Sequence, residues 1–347
     1  NETDLNFNGK KIYLKGVDHN TAGARPVIDC QQAGRAFYFG SGETEDSVID
    51  NFVIQNGMVK NTYGGAIVCE NNSSPTITNC VFQNNIVEMT HVTYTTWSDS
   101  GGAIFCYNHS SPSITNCTFS GNISSEWYGG AIFCWNSSSP TITNCTFSGN
   151  SAANWCGGAI ACFLSSSPTL TNCTFSDNSA KWGGAIYCGS SSNPTIINCS
   201  FTGNSASEDG GAFAYIYSSS SIINCTFNGN TTNYYGGAIK CYSSSPSITG
   251  CIFSGNSANY DGGAVFCTSS SSPTATNCTF SGNTAENGGA ILCEDSSSLT
   301  LNNCVLWGNS ASFSGNEIYI YDSGSSCTLS HCCVDNTGYG FGGGGTI

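Results

Sequence analysis

Cysteine is the residue whose number and spacing first call for a chemical explanation, with 22 in 347 positions. Two phased series carry most of them. Asn-Cys pairs place cysteines at 117, 145, 173, 199 and 225, separated by 28, 28, 26 and 26 residues, and Gly-Gly-Ala-Ile-x-Cys segments place Cys106, Cys134, Cys162 and Cys188 in phase with them. Thiols in such series can ligate metal, pair as disulfides or pack as small hydrophobes. Metal is not assigned: there is no Cys-x-x-Cys module, and His19, His91, His109 and His331 follow no ligand spacing. No cofactor is indicated; a structural calcium ion would have no motif. Three arrangements of the thiols stay open, namely pairs within a repeat such as Cys106 with Cys117, pairs along one series, and free packed thiols. Tyr215 stands where one first-series cysteine is expected and leaves Cys225 without an intra-repeat partner. The adjacent Cys332 and Cys333 fall outside both patterns.

Sugar cleavage would need paired carboxylates, or a basic residue supported by calcium. The only arginines, Arg25 and Arg35, precede the regular repeat. Glu126, Asp177, Asp261 and Glu286 stand singly, Glu208-Asp209 and Glu294-Asp295 are sequential pairs, and Glu43, Glu45, Asp46 and Asp50 read as a solvated or cation-binding loop. Catalysis is therefore not expected.

Aromatic residues collect before the Gly-Gly pairs, at Trp127, Trp155, Trp182, Tyr235 and Tyr260, with Tyr128 and Tyr234 beside them. Such a column closes a turn or stacks on sugar rings. Thr-x-Thr pairs at 76 and 78, 141 and 143, 169 and 171, and 274 and 276 resemble the threonine ranks of ice-binding β-helical antifreeze proteins, although Ser113, Ser247, Ile197 and Ile223 interrupt them.

The elements that position these residues follow from periodicity. Apolar residues alternate with period two, as in Ile132, Cys134 and Ile142, then Cys145 and Phe147, which excludes helical repeats of this length. Each unit reads as one coil of a parallel β-helix with three short strands, equivalent residues stacking about 4.8 Å apart. Ile, the two cysteine ladders (Cys106, Cys134, Cys162, Cys188 and Cys117, Cys145, Cys173, Cys199) and Phe point inward. Asparagine recurs at two corners, Asn116, Asn144, Asn172 and Asn122, Asn150, Asn178, and both read as inward-facing amide ladders. On that reading a glycan fits at the turn sites Asn72, Asn108 and Asn136 but not at Asn116, Asn144 or Asn172. The residue between each inward Ile and Cys is expected outside, which makes an exposed apolar strip of Phe105, Phe133, Tyr187, Phe266, Leu292 and Tyr319, flanked by Ala103, Ala131 and Ala159, fit for association.

About a dozen coils of 26–28 residues account for the chain. Residues 1–60 read as degenerate N-terminal coils, 61–325 as regular repeats with a projecting insertion at 86–100, and 326–347 as a last coil and Gly-rich tail. A net charge of −14 with eight Lys+Arg disfavours nucleic acid and anionic membrane as partners, and no apolar run is long enough for a membrane span. Asn1 is not an initiator methionine and is read as the start of a processed, exported chain.

Gly101 to Ile104 with Phe119 to Asn122, Gly129 to Ile132 with Phe147 to Asn150, and Gly262 to Val265 with Phe280 to Asn283 repeat a Gly-Gly-Ala-[Ile/Leu/Val] and Phe-x-x-Asn pair. Through them the chain resembles right-handed β-helix repeat proteins of bacterial surfaces, and over about residues 64–309 it is similar to the passenger repeats of polymorphic membrane proteins, an autotransporter family. No translocator barrel follows the repeats in this sequence. The resemblance implies a right-handed, single-stranded all-β solenoid at the cell surface or outside the cell. The function expected is a non-enzymatic fibre subunit or adhesin that associates with itself, through open helix ends or the apolar strip, or with a surface ligand such as a glycan. A carbohydrate-binding or polysaccharide-degrading protein and an ice-binding protein are the alternatives.

Overall fold

The computed structural model describes residues 3–17, 25–89, 100–335, 337–343 and 345–347. The chain is an all-β parallel solenoid of about eleven turns. It divides into two compact units, Asn1–Ser179 and Ala180–Ile347.

Each regular coil contains four strands rather than the expected three. In the first unit one coil runs Ile132–Trp135, Thr141–Thr143, Thr146–Ser148 and Ser151–Cys156; in the second, Ile239–Tyr242, Ser247–Thr249, Ile252–Ser254 and Ser257–Ala258. Equivalent strands pair parallel and in register, so that Ile104 lies beside Ile132, Cys106 beside Cys134, and Phe119 beside Phe147. The fourth strand escapes sequence periodicity because its inward side chains are small, Ala152 in the first unit and Ala206, Ala258 and Ala285 in the second. It also changes the reading of the insertion. Ile86–Glu88 is a fourth strand paired with Met58–Lys60 and Ile123–Ser124, so these three residues belong to the sheet and not to a projecting loop. Residues 90–99 of that expected loop, with Tyr94 and Trp97, lie outside the described residues.

The core is a set of like residues in columns. In the first unit Phe82, Phe119, Phe147 and Phe175 stack with centroids 4.7–4.8 Å apart, and in the second Phe227, Phe253 and Phe280 stack at 4.7 Å. Each ring buried this way contributes about 2–3 kcal/mol of transfer free energy. Tyr215, fully buried, fills its gap in the first cysteine ladder and shares a 2.6 Å hydrogen bond with Ser220.

The two glycines of each pair serve different ends. Gly236 has φ +71°, a left-handed conformation that side chains resist, whereas a Cβ on Gly237 would lie 2.0 Å from the Gly263 carbonyl oxygen of the next coil. Only glycine lets the coils approach at this corner.

The two asparagine corners also differ, and one reading of them needs correction. Asn122, Asn150 and Asn178 are fully buried, as expected. Asn150 donates from Nδ2 to the Phe119 carbonyl at 3.0 Å and to Asn178 Oδ1 at 2.9 Å, while its own Oδ1 accepts the backbone N–H and Nδ2 of Asn122. In the second unit the same ladder ends at the carboxylate of Glu317, which accepts from Asn309. Asn116, Asn144 and Asn172, in contrast, are exposed rather than inward. Each is itself the left-handed residue (φ 54–55°), which turns its side chain out and the next residue, Cys117, Cys145 or Cys173, in. Their amides still form a ladder, Asn144 donating to Asn116 at 3.2 Å, but on the surface, so the steric objection to a glycan there is removed.

A further ladder lies in the Ser-rich turns. The backbone N–H of Ser110 donates to Ser138 Oγ, and that of Ser138 to Ser166 Oγ, each at 3.1 Å; Ser218, Ser244, Ser271 and Ser297 repeat the pattern in the second unit. These serines are buried polar groups with partners, not low-complexity filler.

Candidate functional site

All 22 cysteines carry free thiols, and all but Cys332 and Cys333 are buried. In the first unit Cys106, Cys134 and Cys162 form one inward column and Cys117, Cys145 and Cys173 belong to a second, and in the second unit Cys188 and Cys199 are likewise buried. Burial pushes the Cys69 thiol well above the ordinary cysteine range, and the hydrogen bond with Cys267, with burial behind it, does the same for Cys293, which keeps both protonated and inert. Among the described residues no group of three or more His, Cys, Asp or Glu side chains is placed to hold a metal ion.

The apolar strip is where sequence and structure disagree most. Phe105, Phe133, Tyr187, Phe266, Leu292 and Tyr319 do lie on the outer side of their strands, but their exposure is only 0–8%. Ala103, Ala131 and Ala159 are fully buried as well. Part of the cause is the tyrosine that precedes three of the Gly-Gly pairs, which the left-handed glycine folds back over the strip. Tyr63 packs on Phe105 at 4.4 Å, Tyr128 on Phe133 at 5.1 Å and Tyr235 on Phe266 at 4.6 Å. Trp135 and Phe163 close the other side in the first unit. The strip is thus a second apolar layer outside the coil and offers no free face for association.

The aromatic column likewise resolves into two rows. Trp182 and Tyr235 occupy the position directly before the glycines. Trp127, Trp155, Tyr234 and Tyr260 sit one residue earlier and point further out. Trp127 and Trp155 meet edge to face at 5.5 Å in the first unit. In the second, Tyr234 and Tyr260 stack at 5.4 Å with planes 15° apart, and both are exposed, at 43% and 47%.

Carboxylates that look scattered in sequence converge beside this tyrosine pair. A 26-residue period places Asp209, Tyr235, Asp261 and Asn287 in one column before successive glycine pairs, with Tyr235 bridged to Asp261 and Asp261 to Asn287. Lys240 replaces an apolar residue of the strip and forms an ion pair with Asp209 that is mostly shielded from solvent. Its ammonium lies 5.4 Å from the Tyr235 ring and 5.9 Å from that of Phe266. Burial holds the Asp209 carboxyl above the usual aspartate range even though Lys240 pulls it back, and burial also raises Asp261 and Glu294. Asn287 donates to Asp261 at 3.0 Å, and Lys181 pairs with Glu208 at 3.2 Å. Glu208, Asp209, Tyr234 and Tyr235 line an open recess of about 290 Å³. Apolar ring faces thus lie next to hydrogen-bonding carboxylates. That combination suits a ring with an apolar face and a hydroxylated edge.

The acidic loop near the N-terminus is built differently. Glu43 is buried and accepts the backbone N–H groups of Gly9 and Ser41 at 2.9 and 3.0 Å, which help hold its carboxyl below the usual range against the opposing effect of burial. Lys11 is paired with Asp46 at 2.6 Å. This cluster ties the first coils together.

A family model described as the right-handed beta helix region matches residues 51–232 and 185–346. The chain belongs to the right-handed β-helix family. No curated protein and no solved structure matches it. The family includes pectate-lyase-type enzymes and non-enzymes alike, so membership establishes the class of a structural or carbohydrate-active β-helix.

Proposed function

We propose that this chain is a non-enzymatic, cell-surface or extracellular β-helix that binds carbohydrate at the Tyr234–Tyr260 pair. The observation that carries this reading is the exposed, near-parallel tyrosine pair beside the Glu208–Asp209 recess. Two rings held open to solvent on a rigid ladder gain little for the fold, but they offer a pre-organised stacking surface at little entropic cost. The carboxylates around them supply acceptors for sugar hydroxyls. Binding to a surface glycan is the adhesin role in its simplest form, and it replaces the apolar strip as the contact region.

Binding and cleavage of the glycan separate in one experiment. The chain is incubated with a panel of immobilised neutral, acidic and amino-sugar oligosaccharides, and bound protein and released sugar are both measured. Retention without released fragments, weakened about ten-fold by Tyr260→Ala as expected for the loss of about 1.4 kcal/mol of ring contact, is the predicted result. Fragments released by the chain but not by Asp261→Asn would establish the enzyme instead. Retention unaffected by both Tyr234→Ala and Tyr260→Ala would remove the site.

A further inference from the structure

The two cysteine columns of the second unit are built alike but end differently. In the first, Cys241, Cys267 and Cys293 are in register and fully buried, and Ile320 occupies the next rung and seals the column. Tyr215 closes it on the other side against Cys241. The second column runs from Cys199 through Cys225, Cys251, Cys278 and Cys304 to Cys332, which is half-buried and adjoins the exposed Cys333. It alone has an outlet to solvent.

Sulfurs of that second column also have backbone N–H neighbours. Cys225, Cys251 and Cys332 each lie just after a left-handed residue, Asn224, Gly250 and His331, and a backbone N–H from the preceding coil points at each sulfur: Cys199 N–H to Cys225 Sγ at 3.4 Å, Cys225 N–H to Cys251 Sγ at 3.3 Å, and Cys304 N–H to Cys332 Sγ at 3.5 Å. The thiolate is the form that attacks disulfides. Successive rungs about 4.8 Å apart fall inside the Cα separation a disulfide accepts. Three sulfurs in file place the attacking thiolate close to the axis of the bond it must break.

We propose that the second column is a thiol–disulfide exchange relay that is oxidised by a small-molecule disulfide at Cys332 and carries the new disulfide inward. In the first step the Cys332 thiolate attacks the external disulfide, forming one mixed disulfide and releasing one thiol. Cys304 then attacks the Cys332 sulfur, the Cys304–Cys332 bond forms, and the second external thiol leaves with a proton. Two protein thiols are oxidised and one external disulfide is reduced to two thiols. Cys278 next attacks the Cys304 sulfur and returns Cys332 to the thiol, so the disulfide moves one rung with no further oxidant.

The test uses the full chain carrying Cys333→Ser, which removes the neighbouring exposed thiol without touching the column. It is incubated with oxidised glutathione, quenched in acid at intervals, alkylated and mapped by peptide mass. The expected course is a transient glutathione adduct on Cys332, then a Cys304–Cys332 bond, then a Cys278–Cys304 bond with Cys332 free again, while Cys293 stays reduced. With Cys304→Ser added, the adduct on Cys332 should persist at least about ten-fold longer, because the intramolecular thiol is gone. A lasting adduct on Cys332 while Cys304 is present, a disulfide that stops at Cys304–Cys332, or oxidation of Cys293 at the same rate would each overturn the relay. If Cys304→Ser fails to fold, the time course of the Cys333→Ser chain decides alone.

Discussion

Replacing Asn256 by alanine tests whether the buried amide ladder carries stability. Asn256 is fully buried. Its Nδ2 donates to the Phe227 carbonyl at 3.0 Å and to Asn283 Oδ1 at 2.9 Å, and its Oδ1 accepts the backbone N–H of Asn230 at 3.0 Å and Asn230 Nδ2 at 2.9 Å. Alanine leaves two donors of Asn230 and the Phe227 acceptor without this partner, in a site that water does not reach. Each buried group left unsatisfied costs about 1–3 kcal/mol, so the expected loss for the three is about 3–9 kcal/mol. Asn277, in the exposed ladder one coil further on, is the control. Its amide accepts one ladder bond from Asn303 at 2.6 Å, and its left-handed backbone penalises alanine by about 1–2 kcal/mol. Urea unfolding followed by circular dichroism gives the comparison. Hydrogen exchange should show protection lost around residues 230, 256 and 283 for the first variant and only near residue 277 for the second. Equal, small losses for both would refute the claim that the inner ladder matters more than the outer.

Three further outcomes follow from the same geometry. Phe133→Ala should cost about 3–5 kcal/mol, as for a core ring, with no change in association state by sedimentation; a loss below about 0.5 kcal/mol would mean that Tyr128 does not cover it. Gly237→Ala should abolish or severely weaken folding, read as thermal unfolding, because its methyl meets the Gly263 carbonyl, whereas Gly229→Ala, whose Cβ meets nothing within 4 Å, should cost only the strain of its left-handed φ. Glu294, with its folded carboxyl raised by burial, binds its proton more tightly in the folded chain. Its stabilising contribution is present below the ordinary glutamate range and lost as pH rises through the raised value. Glu294→Gln should therefore unfold at higher urea than the parent at pH 7, with the gap closing as pH falls below about 4.5; a gap that is constant or widens in acid would contradict this.

The parallel coils and their inward columns were legible because period-two alternation of Ile, Cys and Phe recurs in phase, and burial of like residues on like leaves few other arrangements. The fourth strand was not, since Ser-Ala segments such as Ser179-Ala180 carry no apolar contrast. Alternation also tells which side of a strand Phe133 takes but not what covers that side; Tyr128 lies five residues away in sequence and reaches it only through the turn at Gly129. For Asn116 and Asn122 the repeat showed that both stack, while the direction of each depended on which residue takes the left-handed conformation: Asn116 itself, but Gly121 before Asn122. The site in the second unit was half visible. Positions 209, 235, 261 and 287 are spaced by 26, yet Asp209 and Asp261 read singly do not reveal Lys240, which meets Asp209 from the next coil. The Ser138 ladder was hidden in a composition that looks like linker.

The most direct test of the architecture is a short alkylation pulse on the native chain followed by peptide mass mapping. Modification of Cys332 and Cys333 alone is expected, with every other cysteine protected until the chain is unfolded. Early modification of Cys117, Cys145 or Cys134 would contradict it, because those thiols would then face solvent and the columns that define the solenoid would not exist.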